Sequence, residues 1–345
     1  MKILIAGCSG YYGKILSQYL MQKDVDVYGI DLVENSLLAK EKQVAFDLTD
    51  TSNLVSCFQG IQFDAIINLA AFIDFASKSE QELYKNNMKV ALNLAKFAQE
   101  RAIKSYIFTS SNSIFLGNSQ AIISQQDKPI PIDAYGRSKV DAERVLWQRR
   151  DKFNVLIFRC PNIIDSGRLG MLTILFELLK CNATLWVLDR GVVRHQCIYA
   201  QDLNSAIYLA LKKGKSNIFN IGADGVESFA NIYHKLIKNT KSRSRLRSIP
   251  KWLGVGILKF LFFLKLSPMG PYQFRMLTKD FEFETSYIKS QLDWRPSKTT
   301  ADILDLAYVG FLDLTNKGNA SNIGGGANGK PVNMGALNLL KLIKL

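Results

Sequence analysis

Histidine is almost missing from this 345-residue chain: only His195 and His234 occur. That argues against a histidine-rich metal site and against a relay built on several imidazoles. The five cysteines, Cys8, Cys57, Cys160, Cys181 and Cys197, include no close pair and no CxxC. They read as free thiols of a reducing compartment, and no metal site is expected. Apolar runs of membrane-spanning length are also lacking. The most apolar stretch, Trp252–Leu266, is shorter than the ~20 residues a bilayer requires and contains Lys259 and Lys265. Acidic residues are scarce, 30 against 44 Lys and Arg, for a net charge of +14. With 48% hydrophobic residues the chain is not disordered, and its length suits one large or two modest domains.

The positive charge is concentrated. Residues 212–345 hold 21 Lys and Arg against 9 Asp and Glu, so +12 of the +14 lies there. Between Ser228 and Leu277 there are ten basic residues and no acidic one. Such a block favours a phosphate-bearing partner. At the start, Met1-Lys2 precedes four apolar residues, too few for the core of a signal sequence and right for a short buried strand. The expectation is a cytoplasmic protein, with contact to the inner face of the membrane as an option.

Through residue 160 short Ile-, Val-, Phe- and Leu-rich segments alternate with helical ones. Strands are expected at Lys2–Ala6, Val25–Ile30, Val44–Phe46, Ala65–Leu69, Ser105–Thr109 and Val155–Phe158, and helices at Tyr11–Met21, Gln81–Arg101 and Ala134–Arg149. This alternation implies an α/β, Rossmann-type, doubly wound parallel sheet. Beyond it the rhythm breaks, predicting a smaller mixed C-terminal lobe over 161–315, with later segments returning to the first domain. A Gly- and Asn-rich flexible tail is expected over 316–345, ending in the apolar and basic Leu337–Leu345.

The first strand runs into Gly7-Cys8-Ser9-Gly10-Tyr11-Tyr12-Gly13, spaced GxxGxxG. Small residues let the backbone turn tightly and approach a pyrophosphate, which the following helix N-terminus attracts. Asp31 ends the second strand, 21 residues after Gly10. A carboxylate there accepts both ribose hydroxyls and repels a 2′-phosphate, so the expected cofactor is NAD rather than NADP. Asp47-Leu48 follows the third strand and would cap the adenine, unless Asp47 is an ordinary turn or helix-capping residue.

Tyr135 and Lys139 are four apart, one turn of helix on one face. A phenol is a poor base at neutral pH, but an ammonium and an oxidised nicotinamide nearby both favour the phenolate. The alternative is a solvated helix face. The run Thr109-Ser110-Ser111-Asn112-Ser113 closes an apolar strand, 24 residues before Tyr135 in the case of Ser111. Its hydroxyls would lie at the carboxyl end of a strand, where ligands bind in such sheets.

Over residues 1–300 these features resemble the extended short-chain dehydrogenases/reductases, especially the NAD-dependent sugar-nucleotide epimerase/dehydratase branch. Further carriers are Asn68-Leu69-Ala70-Ala71, Asn87, Arg159–Asn162, Arg194–Asp202 and Leu292–Pro296. The resemblance implies a nucleotide-sugar substrate and a homodimer. It implies Ser111, Tyr135 and Lys139 as catalytic residues. The cofactor would lie on Gly7, Ser9, Gly10, Tyr11, Tyr12, Gly13, Asp31, Asp47, Leu48, Leu69, Ala70, Ala71, Asn87, Tyr135 and Lys139. The substrate would lie on Ser111, Ser113, Asn162 and Arg194. Asn87 has an alternative as a buried amide tying helix to sheet, and Arg194 as an exposed surface charge. Asp202 reads as the cap of a helix starting at Leu203, and His195 as non-catalytic.

Dehydratases of this family carry an Asp-Glu pair where this chain has Asn112 and Ser113, so dehydration is not expected. The usual Gly-Pro after the Asn162 region is replaced by Asp165-Ser166, and the family's His-Leu-Ala-Ala by Asn68-Leu69-Ala70-Ala71. The implied activity is that of a sugar-nucleotide 4-epimerase. The alternatives are a net dehydrogenase or reductase of a sugar nucleotide or sterol-like alcohol, and a non-catalytic NAD-sensing or RNA-binding scaffold. Nucleic acid is disfavoured, because basic and aromatic residues do not interleave. For 235–265 two readings stand: docking on an anionic membrane surface or lipid-linked substrate, or a buried core helix of the second lobe.

Overall fold

The computed structural model describes residues 1–50, 54, 56–72, 79–316 and 329–343. Its strands are β1 (Lys2–Ala6), β2 (Asp26–Asp31), β3 (Gln43–Ala45), β4 (Ala65–Asn68), β5 (Ser105–Ser111), β6 (Ile122–Ile123), β7 (Asn154–Cys160), β8 (Asn162–Ile164), β9 (Leu185–Leu188), β10 (Cys197–Tyr199), β11 (Asn217–Asn220), β12 (Leu246–Ile249) and β13 (Glu282–Phe283). The helices are α1 (Tyr11–Met21), α2 (Glu80–Glu100), α3 (Ala134–Trp147), α4 (Leu172–Lys180), α5 (Ala200–Lys213), α6 (Phe229–Asn239), α7 (Lys251–Phe263), α8 (Pro271–Met276), α9 (Ser286–Leu292) and α10 (Thr300–Asn316).

Seven strands form one parallel sheet in the order β11-β7-β5-β4-β1-β2-β3. Each central strand is buried on both faces, which explains why they read as continuous apolar runs rather than alternating ones. One face packs Ile3, Ile5, Leu16 and Ile107 with Ile207 of α5, Leu292 of α9 and Trp294 just after it. The other packs Leu4, Ile66, Leu94, Phe97 and Tyr106 between the sheet and α2 and α3. Strand order reverses between β1 and β4, so a crevice opens there at the carboxyl ends of the strands.

β5 and β7 run further than their apolar segments, while the other expected strands match to within a residue at each end. β5 continues through Ser110 and Ser111 because both keep their ladder partners on β7, Arg159 and Cys160. Pairing with a neighbour, which apolar patterning does not report, carries the strand into the polar run. The second lobe has its own core of Ile164, Phe176, Leu179, Ile232, Ile303 and Phe311, drawn from β8, α4, α6 and α10.

Three expectations about the C-terminal half need correction. Asp202 does not cap a helix at Leu203, because α5 already begins at Ala200. Its carboxylate accepts from the Ser297 amide at 2.9 Å, while its carbonyl accepts from the Trp294 indole at 3.0 Å. The described end of the tail is packed on the body: Gly170 donates to the Lys330 carbonyl, Leu337 is buried, and Lys341 pairs with Glu177 on α4 at 2.8 Å. Residues 317–328 of that tail lie outside the described residues. Finally, the buried-core reading of 235–265 fails for α7, whose one buried residue is Gly254. Among the described residues no helix is long and apolar enough to cross a membrane.

Candidate active site

The glycine loop is shaped by contacts that tolerate no side chain. Gly7 adopts φ +83°, and a Cβ there would stand 2.7 Å from the Ala70 amide nitrogen. A Cβ on Gly13 would collide with the Gly7 carbonyl. The loop therefore presses on both the β4 exit, residues 69–71, and its own helix. Gly10 caps α1 without a side-chain acceptor for the first N–H groups of the helix. Asn35 holds the loop from behind, donating from Nδ2 to the Cys8 carbonyl at 2.8 Å. Asp31 closes the other side, its two carboxylate oxygens accepting from Ser9 N at 2.9 Å and Leu32 N at 2.7 Å. The loop, a donor-rich helix end and a half-exposed carboxylate together fit a dinucleotide.

The remaining expected cofactor residues fall into two groups. Leu69, Ala70 and Ala71 are half-buried at the switch point of the sheet, and Leu48 is buried nearby on the β3 side. Asp47 is exposed, with Oδ1 accepting from Thr49 N at 2.9 Å as a turn residue does. Asn68, in place of the family's usual histidine, bridges to Tyr106 at 3.0 Å and accepts from Ala70 N. Asn87 spends its amide on structure: Oδ1 accepts from Phe72 N at 2.8 Å, and Nδ2 donates to Phe72 O and Ser138 Oγ. It ties α2 to the β4 exit and to α3.

On α3 the Asp133 carboxylate accepts from Gly136 N and starts the helix. Tyr135, Lys139 and Glu143 then lie four apart along one stripe facing the sheet. The Tyr135 hydroxyl hydrogen-bonds Ser111 at the end of β5. Lys139 is buried and donates to the Thr109 carbonyl at 2.9 Å, its ammonium 5.6 Å from the Tyr135 ring centre. Burial lowers the Lys139 pKa to about 8. Burial also raises the Tyr135 phenol, with Tyr272 and Asp133 adding to the rise and the Ser111 bond opposing it. Desolvation is the largest influence on the phenol. The Lys139 charge is tied to a backbone carbonyl and sits against the Phe108 ring at 4.6 Å.

Around this pair hydrogen-bonding capacity is unspent. The buried Ser110 Oγ, Ser113 Oγ, Asn112 Nδ2 and Tyr12 hydroxyl have no partner among the described residues. Asn112 Oδ1 lies 3.4 Å from Ser111 Oγ and 3.5 Å from the Tyr272 hydroxyl. No carboxylate stands at Asn112 or Ser113. Among the described residues no group of three or more metal-ligating side chains gathers.

The substrate side departs further from expectation. Asn162 is exposed at the start of β8. Arg194 is exposed and already engaged, donating to the Val226 carbonyl at 2.8 Å and pairing with Glu282 at 3.3 Å. Two residues outside the expected set connect to the catalytic group, one of them through the other. Tyr272, on α8, influences Tyr135 directly. The Arg168 guanidinium stacks over the Tyr11 ring at 5.4 Å and interacts with Tyr272, with no acidic partner among the described residues. Tyr11 in turn locks onto the unusual Asp165, accepting from its amide at 2.7 Å and donating to its carbonyl at 3.0 Å. Asp165 also accepts from Gln201 at 2.9 Å, so it links the glycine loop, the β8 exit and α5. The aromatic at position 11 was the sequence signal; its partner 154 residues away was not readable. His195 lies between the rings of Phe229 and Phe281, with burial lowering its pKa to about 4. It is a neutral packing residue.

The model of the NAD dependent epimerase/dehydratase family matches residues 3–222. The chain belongs to that family. An uncharacterized protein of Sinorhizobium fredii, y4nG, is 25% identical over 342 residues, 98% of this chain and 85% of that protein. A dTDP-D-glucose 4,6-dehydratase of Dictyostelium discoideum is 26% identical over 266 residues, 68% of this chain and 61% of the relative. In fold the chain is similar to a UDP-glucose 4-epimerase of Thermotoga maritima, solved with UDP-glucose, at TM-score 0.75 and 18% identity, covering 91% of this chain and 100% of that one. As a member of this family the chain is NAD-dependent.

One expectation follows for the cofactor. Asp31→Ala should weaken NAD binding and raise the NADP-to-NAD affinity ratio, because the carboxylate that repels a 2′-phosphate is gone. Fluorescence titration of the two cofactors checks this. Tighter binding of NADP than NAD by the unmodified chain would contradict it.

Proposed function

We propose that this chain is a sugar-nucleotide 4-epimerase. The observation that carries the reading is the Ser111–Tyr135–Lys139 arrangement beside Asn112 and Ser113, which supplies a hydroxyl base and no carboxylate acid–base pair. Tyr135 takes the proton of the sugar 4-hydroxyl, and Ser111 hydrogen-bonds the same oxygen as it becomes a carbonyl. Lys139 steadies the phenolate and donates to the Thr109 carbonyl, fixing α3 against β5. Ser113 and Asn112 Nδ2, both without a partner among the described residues, offer donors to the keto-sugar as it turns. Bound NAD supplies the hydride acceptor and donor, and in its oxidised form a cationic ring that lowers the Tyr135 pKa.

Arg168 and Arg194 would hold the diphosphate, with Asn162 at the nucleotide-sugar. Of the two cations Arg168 is the better placed, since Arg194 already faces Glu282. Dehydration needs an acid to protonate a leaving hydroxyl, and neither Asn112 nor Ser113 can do so.

Incubation with a panel of UDP-hexoses and UDP-N-acetylhexosamines tests the reading. The expected result is a 4-epimer with no net NADH. Stoichiometric NADH would make the chain a dehydrogenase, and a 4-keto-6-deoxy product would make it a dehydratase.

A further inference from the structure

Helix α7 presents its apolar side to solvent. Trp252 is 77%, Phe260 61% and Phe263 81% exposed, and Leu253, Ile257 and Leu264 are exposed beside them. At 100° per residue these six side chains fill one arc of about 140° with no charge inside it. A helix of a globular protein ordinarily turns such an arc to the core. Here the helix is held by its other side and its ends. Gly254 packs closely on Leu188 and Ile249, Lys251 N donates to Asp189 at 2.7 Å, and Phe262 meets Phe274 edge-on at 6.0 Å. Just beyond the C-terminus, Ala336 N donates to the Leu266 carbonyl at 2.8 Å. The arc is therefore displayed on a mounted helix.

Cations flank it. Lys241, Arg243, Arg245 and Arg247 are exposed on the approach through β12, and Lys259 and Lys265 on and just after α7. None of the six forms an ion pair among the described residues, and no acidic residue occurs from Ser228 to Leu277. We infer that α7 docks flat in the headgroup region of an anionic lipid bilayer, with Trp252, Phe260 and Phe263 inserted and the flanking Lys and Arg on lipid phosphates. Charge decides between occupants. A second copy seated on the same face would bring two unpaired cationic rims together, whereas anionic headgroups neutralise them. At 13 residues α7 is about 20 Å long, which suits lying in the interface and is too short to cross it. The lysines can bury their stems and raise their ammonium groups to phosphate level. Seven residues separate α7 from α8, which carries Tyr272, so docking helix and candidate active site share one short stretch of chain. The inference stands whether or not the epimerase reading does.

Flotation with phosphatidylglycerol/phosphatidylcholine and with pure phosphatidylcholine vesicles, at low and high salt, tests it. The full chain should float with the anionic vesicles and less so in high salt, since each basic residue near an anionic surface contributes roughly a fivefold gain in partition. The triple variant Trp252→Ser/Phe260→Ser/Phe263→Ser should bind at least about tenfold more weakly while still binding NAD. If that variant fails to fold, quenching of Trp252 emission by brominated lipid in the native chain, with Trp252→Phe as blank, reads insertion directly. Absence of flotation on anionic vesicles, a folded triple variant that floats like the native chain, or no bromine quenching would overturn the inference. So would self-association that the triple variant abolishes in a chain that does not float, which would assign the face to a second copy.

Discussion

Tyr135→Phe is expected to retain NAD binding and lose about 10²–10⁴-fold in turnover, the usual worth of a positioned general base. The ring keeps its place on α3, where Ala134, Gly136 and Lys139 are buried around it, and only the hydroxyl bonded to Ser111 is removed. Loss of one such bond costs the fold about 1 kcal/mol. Ser111→Ala should lose less, because Ser113 Oγ, without a partner among the described residues, lies two residues away and can donate in its stead. Steady-state rates, with NAD affinity measured separately, check both. A Tyr135→Phe enzyme retaining more than a few per cent of its activity would make Tyr135 a structural residue of α3.

Glu143→Ala should cost about 3–5 kcal/mol of stability in urea unfolding. Arg159 on β7 meets the Glu143 carboxylate with Nε at 3.1 and 3.2 Å and Nη2 at 2.8 Å, and both side chains are more than nine-tenths buried. Removing the carboxylate leaves a guanidinium stranded against Phe115. The pair joins the helix that carries Tyr135 to the sheet, and Glu143 also favours the charged form of Lys139. The variant should therefore lower the Lys139 pKa further. The double variant Arg159→Met/Glu143→Leu removes both charges and should recover most of the lost stability, since apolar replacements of a buried pair are often neutral. A single variant as stable as the native chain would mean that water reaches Arg159.

The site was most legible where its parts are close in the chain. The turn from β1 into α1 needs glycine because a strand and a helix meet within a few residues, and the constraint is written in those residues. Asp31 belongs to the same local unit through β2. Tyr135 and Lys139 share a helix face by spacing alone, and Ser111 follows from the polar run that closes β5. Arg159 was legible as part of a motif, but its buried pairing with Glu143 was not, since they belong to different elements.

What only the tertiary structure decided is which distant groups meet and what each apolar face packs against. Asp165 looked like a departure from the family; its backbone holds Tyr11 and its carboxylate holds Gln201 on α5. Arg168, after β8, and Tyr272, on α8, interact across 104 residues of chain, a pairing that no local spacing encodes. Tyr135 and Lys139 were readable as neighbours, yet the balance of their pKa values depends on burial, a property of the whole packing. The same holds for α7. Its composition states that a strongly apolar helix forms there, because hydrophobicity is a property of side chains. Whether that helix is covered depends on the other elements placed over it, and the fold leaves its apolar arc facing out.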